Sequence, residues 1–197
     1  MIIFLYGRDS YRLKQNLDKI AAEYRKKNSG MSFTILDFNS DAPKQLEKLT
    51  DLVKTVSFFD EKRLIVLKNA FAAAKDIAAL IKEWELGADK QRILVCAENA
   101  EEKELLQKDK NFFGLLSVKP NIIKSFEPLE GKQLENWIKK EVEAGGGKIE
   151  PAALRKLVSY ATNPAGRDKL SDPTAVWRLK QAIDKLINYK TAKDAII

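Results

Sequence analysis

The stretch IIFLYGRDSYRLKQNL, residues 2–17, carries the pattern that decides the fold. Its first five residues, Ile2–Tyr6, form an apolar run of the length of a buried strand. A short loop follows, in which Asp9 or Ser10 can cap a helix that continues to about Lys27. A strand followed directly by a helix is the unit from which α/β domains are built.

The same alternation of strand and helix continues over the next hundred residues. Further strands are predicted at Phe33–Phe38, Leu64–Leu67, Arg92–Cys96 and Ile122–Phe126. Helices are predicted between them at Ala42 to about Thr55, at about Lys75 to Leu86 and near Glu101–Lys108. This alternation favours right-handed crossovers and one parallel sheet that is covered on both faces.

After Pro128 the pattern changes to helices alone. They are predicted at Glu130–Ala144, Pro151–Ala161 and Pro173–Tyr189. Three consecutive glycines, residues 145–147, end the first of them, and such a run is a strong helix stop signal. The sequence therefore predicts an α/β domain over residues 1–127 and a small all-α domain over residues 128–197.

Composition excludes several classes of protein. The 197 residues are 45% hydrophobic and 32% charged, as in an ordinary soluble globular protein. No apolar run approaches the roughly 20 residues that span a bilayer, and no signal peptide precedes the first strand, so we expect a cytoplasmic protein without membrane contact. The sequence holds no histidine and one cysteine, Cys96, which argues against a disulfide framework, a zinc site and histidine-dependent catalysis.

The net charge of +7 is unevenly distributed along the chain. Residues 1–28 hold seven basic and three acidic side chains, and residues 151–197 hold nine and four. Basic ends around a nearly neutral centre indicate an anionic partner such as nucleic acid, which would contact only some faces. Solvated helix faces in a moderately basic protein explain the same numbers equally well.

An α/β domain followed by a small helical domain is the layout of AAA+ nucleotide-binding proteins. A working phosphate loop in such a protein needs several glycines, a lysine and a Ser/Thr that binds Mg²⁺. Here the first strand is followed by Gly7, Arg8, Asp9 and Ser10, of which only Gly7 fits, and Asp9 would repel phosphate. We therefore predict a degenerate nucleotide site with no cofactor, no metal and no ATP hydrolysis.

The two metal-binding positions of such a site are also incomplete. The strand Leu64–Leu67 ends in Lys68 and Asn69, where an ATPase would place a metal-binding carboxylate. Glu98 follows the next strand, but the groups that would support it are missing.

Two adjacent aromatic residues, Phe58 and Phe59, precede the apolar strand Leu64–Leu67. A loop in this place is normally polar, so two exposed phenylalanines would need an explanation. They either fold back into the core or are displayed to a partner.

Three segments resemble the delta subunit of the bacterial DNA polymerase III clamp loader. The opening strand with Tyr6, Gly7 and Tyr11 is similar to the start of that family. The segment that runs from Ser57 through Phe58 and Phe59 to Arg63 and the next strand is similar to its most specific motif. The helix around Trp177 resembles its lid helix.

This resemblance implies an AAA+-like fold that has lost nucleotide binding. It implies a subunit that binds the ring-shaped sliding clamp, the beta subunit, and opens one interface without a catalytic site of its own. Phe58 and Phe59, after Ser57, would be the clamp-binding pair, although the family usually has leucine at the position of Phe58. Other clamp-loader subunits and DNA would be further partners. The family continues into a collar domain, so a chain that stops at Ile197 is expected to be a fragment or a reduced form.

A second hypothesis comes from the class of enzymes. The chain could be a divergent P-loop-like ATPase whose phosphate loop is not recognised. Binding of nucleotide would distinguish the two hypotheses, because a true ATPase is stabilised by Mg-ATP.

Overall fold

The computed structural model describes residues 1–27, 33–55, 62–162 and 174–189. The chain divides into two compact units, each described separately below. The first unit contains Met1–Gly7 and Arg12–Phe126, and the second contains Arg8–Tyr11 and Glu127–Ile197. The assignment of separate roles to residues 1–127 and 128–197 stays a prediction.

The first unit is built on a five-stranded sheet in which every neighbouring pair is parallel. The strands are β1 (Ile2–Tyr6), β2 (Phe33–Asp37), β3 (Arg63–Lys68), β4 (Arg92–Glu98) and β5 (Ile122–Ser125), in the order β2-β3-β4-β1-β5. All five predicted strands are confirmed. The side chains of β1, β3 and β4 fill the layers above and below the sheet, whereas all four residues of β5 are exposed.

Five α-helices connect the strands in the part of the chain that the structure describes. They are α1 (Ser10–Lys27), α2 (Ala42–Lys54), α3 (Ala74–Glu83), α4 (Glu102–Lys108) and α5 (Lys110–Ser117). A 3₁₀ turn, Ala70–Ala73, precedes α3. The sequence did not predict α5, which begins where the Asp109 side chain accepts a hydrogen bond from the backbone N–H of Phe112 at 2.8 Å. This cap separates α5 from α4 by a single residue.

The two faces of the sheet carry different cores. On one face, which we call the α2–α5 face, Phe4, Leu67 and Ile77 pack with the 3₁₀ turn, α2, α3, α4 and α5. On the other face, which we call the α1 face, α1 supplies Leu13 and Leu17 to the cluster. Among the described helices, α1 alone contributes to the cluster on this face. Coverage of the sheet is therefore much thinner there than the sequence suggested.

The second unit contains α6 (Gly131–Ala144), α7 (Pro151–Thr162) and α8 (Ala175–Tyr189). Its core is formed by buried residues of all three helices: Leu134, Ile138, Val142, Leu154, Leu157, Leu179 and Ile183. The glycine run ends α6 as predicted. The backbone N–H of Gly147 donates to the carbonyl of Val142 at 2.9 Å, and Gly146 adopts a φ of +79°, as in a helix that ends through a left-handed residue.

We expect Phe4→Ala to destabilise the first unit by about 3–5 kcal/mol, because Phe4 is fully buried and its ring lies 5.5 Å from that of Phe113. Urea unfolding followed by circular dichroism measures the change. Val118→Ala is the matched control: Val118 is 56% exposed, so its loss should stay within about 0.5 kcal/mol. Equal effects of the two substitutions would contradict the packing described for β1.

Candidate functional site

The carboxyl end of β1 is where a parallel α/β sheet usually binds a ligand. Gly7 follows this strand with a φ of +138°, and a Cβ atom there would lie 2.3 Å from the carbonyl oxygen of Phe126. Its N–H donates to the carbonyl of Glu98 at 3.1 Å, and the N–H of Phe126 donates to the carbonyl of Tyr6 at 2.7 Å. Glycine is therefore required here by the close approach of two backbone segments.

Two of the other predicted loop residues, Asp9 and Ser10, are engaged within the second unit. The Asp9 side chain is buried, with 2% of its surface exposed. The Ser10 hydroxyl accepts a hydrogen bond from the indole N–H of Trp177 at 3.0 Å. Arg8 belongs to the same unit.

An aromatic cluster follows these residues in the second unit. The Tyr11 ring meets those of Trp177 and Trp137 edge to face, at centroid distances of 4.9 Å and 5.9 Å. Burial, together with the negative charge of Glu141, raises the pKa of Tyr11 above its ordinary value. Within the second unit, Tyr11 thus packs against α6 and α8 through aromatic rings.

Glu98 ends β4 and is a buried carboxyl group, 2% exposed. It accepts a hydrogen bond from the backbone N–H of Phe71 at 3.3 Å. Burial raises the pKa of Glu98 to about 7, while the N–H groups of the 3₁₀ turn and the charge of Lys108 act in the opposite direction. Glu98 therefore stabilises the start of this turn and titrates near neutral pH.

The end of β3 is also held by hydrogen bonds. Asn69 follows this strand in the left-handed conformation, with a φ of +57°. Its side-chain amide donates to the Asp37 carboxylate at 2.8 Å. In the described ranges, no group of three or more His, Cys, Asp or Glu side chains lies close enough together to hold a metal ion. Cys96 is fully buried, as predicted.

The predicted clamp-binding residues Ser57, Phe58 and Phe59 lie outside the described residues. The structure does describe both flanks of their segment, and these are the end of α2 and the start of β3. The Arg63 guanidinium donates from Nη1 to the carbonyl oxygens of Leu52 and Thr55, each at 2.8 Å. The last turn of α2 is therefore tied to the first residue of β3.

A second arginine makes a similar contact from the neighbouring strand. Arg92 lies beside Arg63 in the β3–β4 register, and its Nη1 donates to the carbonyl oxygen of Val53. The Asp89 carboxylate forms an ion pair with the Nε of Arg92. Two guanidinium groups thus satisfy carbonyls that the end of a helix leaves without intrahelical partners.

On the opposite side of the segment, the Tyr24 hydroxyl donates to the backbone carbonyl of Lys62. Sequence reasoning included Arg63 in the motif but assigned it no role, and it did not identify Arg92 or Tyr24. In the sequence, this arrangement is indicated by an arginine at the first residue of each of two apolar strands, β3 and β4.

A sequence model of the family described as DNA polymerase III, delta subunit, matches residues 4–119. The chain belongs to this family. The match includes residues 57–59 and both arginines that hold the end of α2, so the delta-subunit resemblance inferred from motifs is confirmed. No curated protein sequence matches the chain.

Solved structures with a similar fold come from replication proteins. The Bacillus subtilis DNA clamp loader delta protein (YqeN) superposes with a TM-score of 0.56 at 17% identity, over 100% of this chain and 55% of that one. Domain III of the Thermotoga maritima replication initiation protein DnaA superposes with a TM-score of 0.54 at 15% identity, over 98% of this chain and 79% of that one. A replication initiator DnaA bound to AMPPCP and single-stranded DNA superposes with a TM-score of 0.61 at 16% identity, over 97% of this chain and 56% of that one.

These comparisons confirm the predicted AAA+-like α/β fold, and at such identities they describe the fold alone. This chain spans about 55% of the length of the B. subtilis delta protein. None of the described helices is long and apolar enough to cross a membrane.

We expect the stability of the first unit to depend on pH through Glu98. Because the folded-state pKa of about 7 exceeds the ordinary value of 4.5, the contribution of this carboxyl group is full below pH 4.5 and is lost as pH rises through 7. Glu98→Gln, which stays neutral, should match the wild type at pH 4.5 and exceed it at pH 8 by roughly 3 kcal/mol.

Denaturant unfolding at several pH values measures this difference. Glu83→Gln is the matched control, because Glu83 is exposed on α3 and its substitution should leave the pH profile unchanged. A Glu98→Gln variant that follows the wild-type profile at every pH would show that Glu98 does not carry the effect.

A pair of glycines tests the close approach at the end of β1. Gly7→Ala would drive a methyl group into the backbone of Phe126 and should destabilise the first unit by about 3 kcal/mol or more. Gly114→Ala lies inside α5 with no atom within 4 Å of its Cβ position, so it should be neutral or stabilise by up to about 1 kcal/mol. Thermal melts would contradict this account if both variants behaved alike.

Proposed function

We propose that this chain is a clamp-loader subunit that binds the sliding clamp through Phe58 and Phe59 and opens one interface of the ring. The observation that carries the proposal is the family match over residues 4–119, which includes this aromatic pair. Large aromatic side chains that enter a pocket of a partner are the usual hot spots of an interface. Ser57 precedes the pair and belongs to the same proposed contact.

The anchoring of the flanks supports display of this segment. Only six residues, 56–61, separate Thr55 from Lys62. Arg63 contacts the end of α2 on one side, and Tyr24 holds Lys62 on the other. A segment whose two ends are fixed to the sheet loses less conformational entropy on binding, which increases affinity.

We further propose that the subunit acts without hydrolysing ATP and without a catalytic site of its own. A phosphate loop needs N–H groups that point to the ligand, whereas the N–H of Gly7 donates to the Glu98 carbonyl. β3 ends in Lys68 rather than in a carboxylate. The ATPase alternative keeps one supporting observation, since a protein of similar fold is described as bound to AMPPCP.

The remaining parts of the proposal concern partners and place. We propose that residues 1–127 form the clamp-binding domain and residues 128–197 the lid, that other clamp-loader subunits and DNA are further partners, and that the protein acts in the cytoplasm. Family membership over residues 4–119 supports the clamp-binding domain and the partners, and the division into two compact units supports a separate helical domain.

We expect Phe58→Ala and Phe59→Ala each to weaken binding of the sliding clamp by about 2 kcal/mol or more, which is roughly a thirtyfold change in Kd. Thermal stability should fall little, because the pair is proposed to be displayed. Surface plasmon resonance with immobilised clamp and thermal melting measure the two quantities on the same samples.

The matched control is Tyr160→Ala, which removes an exposed aromatic ring from α7 (47% exposed). This variant should bind the clamp like the wild type. Melting temperatures that collapse together with binding in the phenylalanine variants would place the pair in the core and would remove the main support for the proposal.

Titration with Mg-ATP distinguishes the proposal from the ATPase alternative. We expect no saturable heat by calorimetry at millimolar nucleotide and no increase in melting temperature, since ligand binding to the native state must raise it. Saturable binding in the micromolar range would favour the ATPase instead.

A further inference from the structure

The α1 face of the sheet leaves both edge strands partly uncovered. Ile3 and Leu5 of β1 belong to the cluster beneath α1, and they pair in register with Ile122 and Lys124 of β5. Because paired residues of a sheet point to the same face, Ile122 and Lys124 also face the α1 side. Ile122 is nevertheless 42% exposed. Parallel strands are normally buried on both faces, so the layer that would cover β5 on the α1 face is incomplete.

A groove of about 510 Å³ runs along the side of α1 that is next to the end of β5. It is lined by Arg12, Asn16, Lys19 and Ala22 of the helix and by Phe126, which directly follows β5. From Arg12 to Ala22 the helix rises about 15 Å, enough to lie along nearly three turns of a second helix. The groove therefore has the length of a helix contact rather than of a point contact.

One polar atom in the groove lacks a partner. The side-chain oxygen of Asn16 is buried and accepts no hydrogen bond in the described part of the chain. A buried acceptor that is left unpaired lowers the stability of the folded state. This atom is closed off from solvent, so an occupant of the groove could reach it only after the Asn16 side chain turned outward.

The charge around the groove is mainly positive. Lys19 and Lys124 are exposed and Arg12 is half-buried. The one carboxylate that lines the groove, Asp18, forms an ion pair with Lys14. An occupant with acidic side chains beside an apolar stripe would match both this charge and the exposed Ile122.

We propose that this groove binds an acidic amphipathic helix of a partner protein, laid beside α1 over β5. Such a helix would complete the layer at the usual interaxial spacing of about 8–10 Å and would bury Ile122. A helix is favoured over an added strand because the groove lies on a face of the sheet and not at its edge. The proposal goes beyond clamp binding, since no groove residue lies in the segment 56–61.

The test uses a fluorescein-labelled synthetic helix of about 18 residues, with leucine on one stripe and glutamate on both sides of it. Fluorescence anisotropy should show saturable binding to the full chain. Lys19→Glu and Ile122→Asp should each weaken it at least about tenfold. The same helix with lysine in place of glutamate should bind at least about tenfold more weakly than the acidic one.

Two matched substitutions serve as controls, and thermal melts verify folding of every variant. Lys26→Glu makes the same charge change in the last turn of α1, and Ile35→Asp makes the same apolar-to-acidic change on the other edge strand, where Ile35 is 47% exposed. Both should bind the acidic helix within about twofold of the wild type.

Several outcomes would overturn the proposal. These are absence of saturable binding, equal loss in the test and control variants, and equal binding of the lysine-substituted helix. Displacement of the acidic helix by a thymidine oligonucleotide that itself binds through Lys19 would assign the groove to nucleic acid. A dimer by analytical ultracentrifugation that Ile122→Asp dissociates would assign it to a second copy of the chain.

Discussion

The proposed clamp contact depends on how the end of helix α2 is held. A helix leaves its last carbonyl groups without intrahelical partners, and here two arginines supply the donors. Arg63 contacts Leu52 and Thr55, and Arg92 contacts Val53. Because the two arginines lie side by side on β3 and β4, the sheet itself determines where the helix ends and where the next segment begins.

The carboxyl end of the sheet shows a different use of the same fold. In AAA+ proteins that bind nucleotide this end holds phosphate, but in this chain its polar groups bond to one another. The N–H of Gly7 donates to the Glu98 carbonyl, the Glu98 carboxyl accepts from the 3₁₀ turn, and Asn69 donates to Asp37. These hydrogen bonds join the carboxyl ends of neighbouring strands to one another and to the 3₁₀ turn. One of them involves the carboxyl group of Glu98, whose pKa is about 7.

Most of the fold could be predicted from the sequence because it is encoded locally. Each strand is an apolar run, and the glycines after α6 form a stop signal that needs no tertiary information. Helix α5 was missed because it is short, contains Gly114 and follows α4 after one residue. The exposure of β5 was missed for another reason. An apolar strand at the edge of a sheet has the same sequence pattern as a buried one, and coverage depends on which helices cross each face.

The anchoring arginines could not be predicted from the sequence. Arg63 and Arg92 are 29 residues apart in the sequence, and only the register of β3 with β4 places both beside the end of α2. The Glu98 carboxylate was noticed in the sequence, but its burial and its partners depend on the 3₁₀ turn that follows β3. In each case the missing information was a contact between distant segments.

We propose that Arg63 positions the aromatic pair for the clamp. A double-mutant cycle with Arg63→Met and Phe59→Ala, measured as clamp affinity, tests it most directly. We expect Arg63→Met to weaken clamp binding by about tenfold in the wild-type background and by less than about twofold in the Phe59→Ala background. Equal losses in the two backgrounds would contradict the claim, because the arginine would then act independently of the phenylalanine.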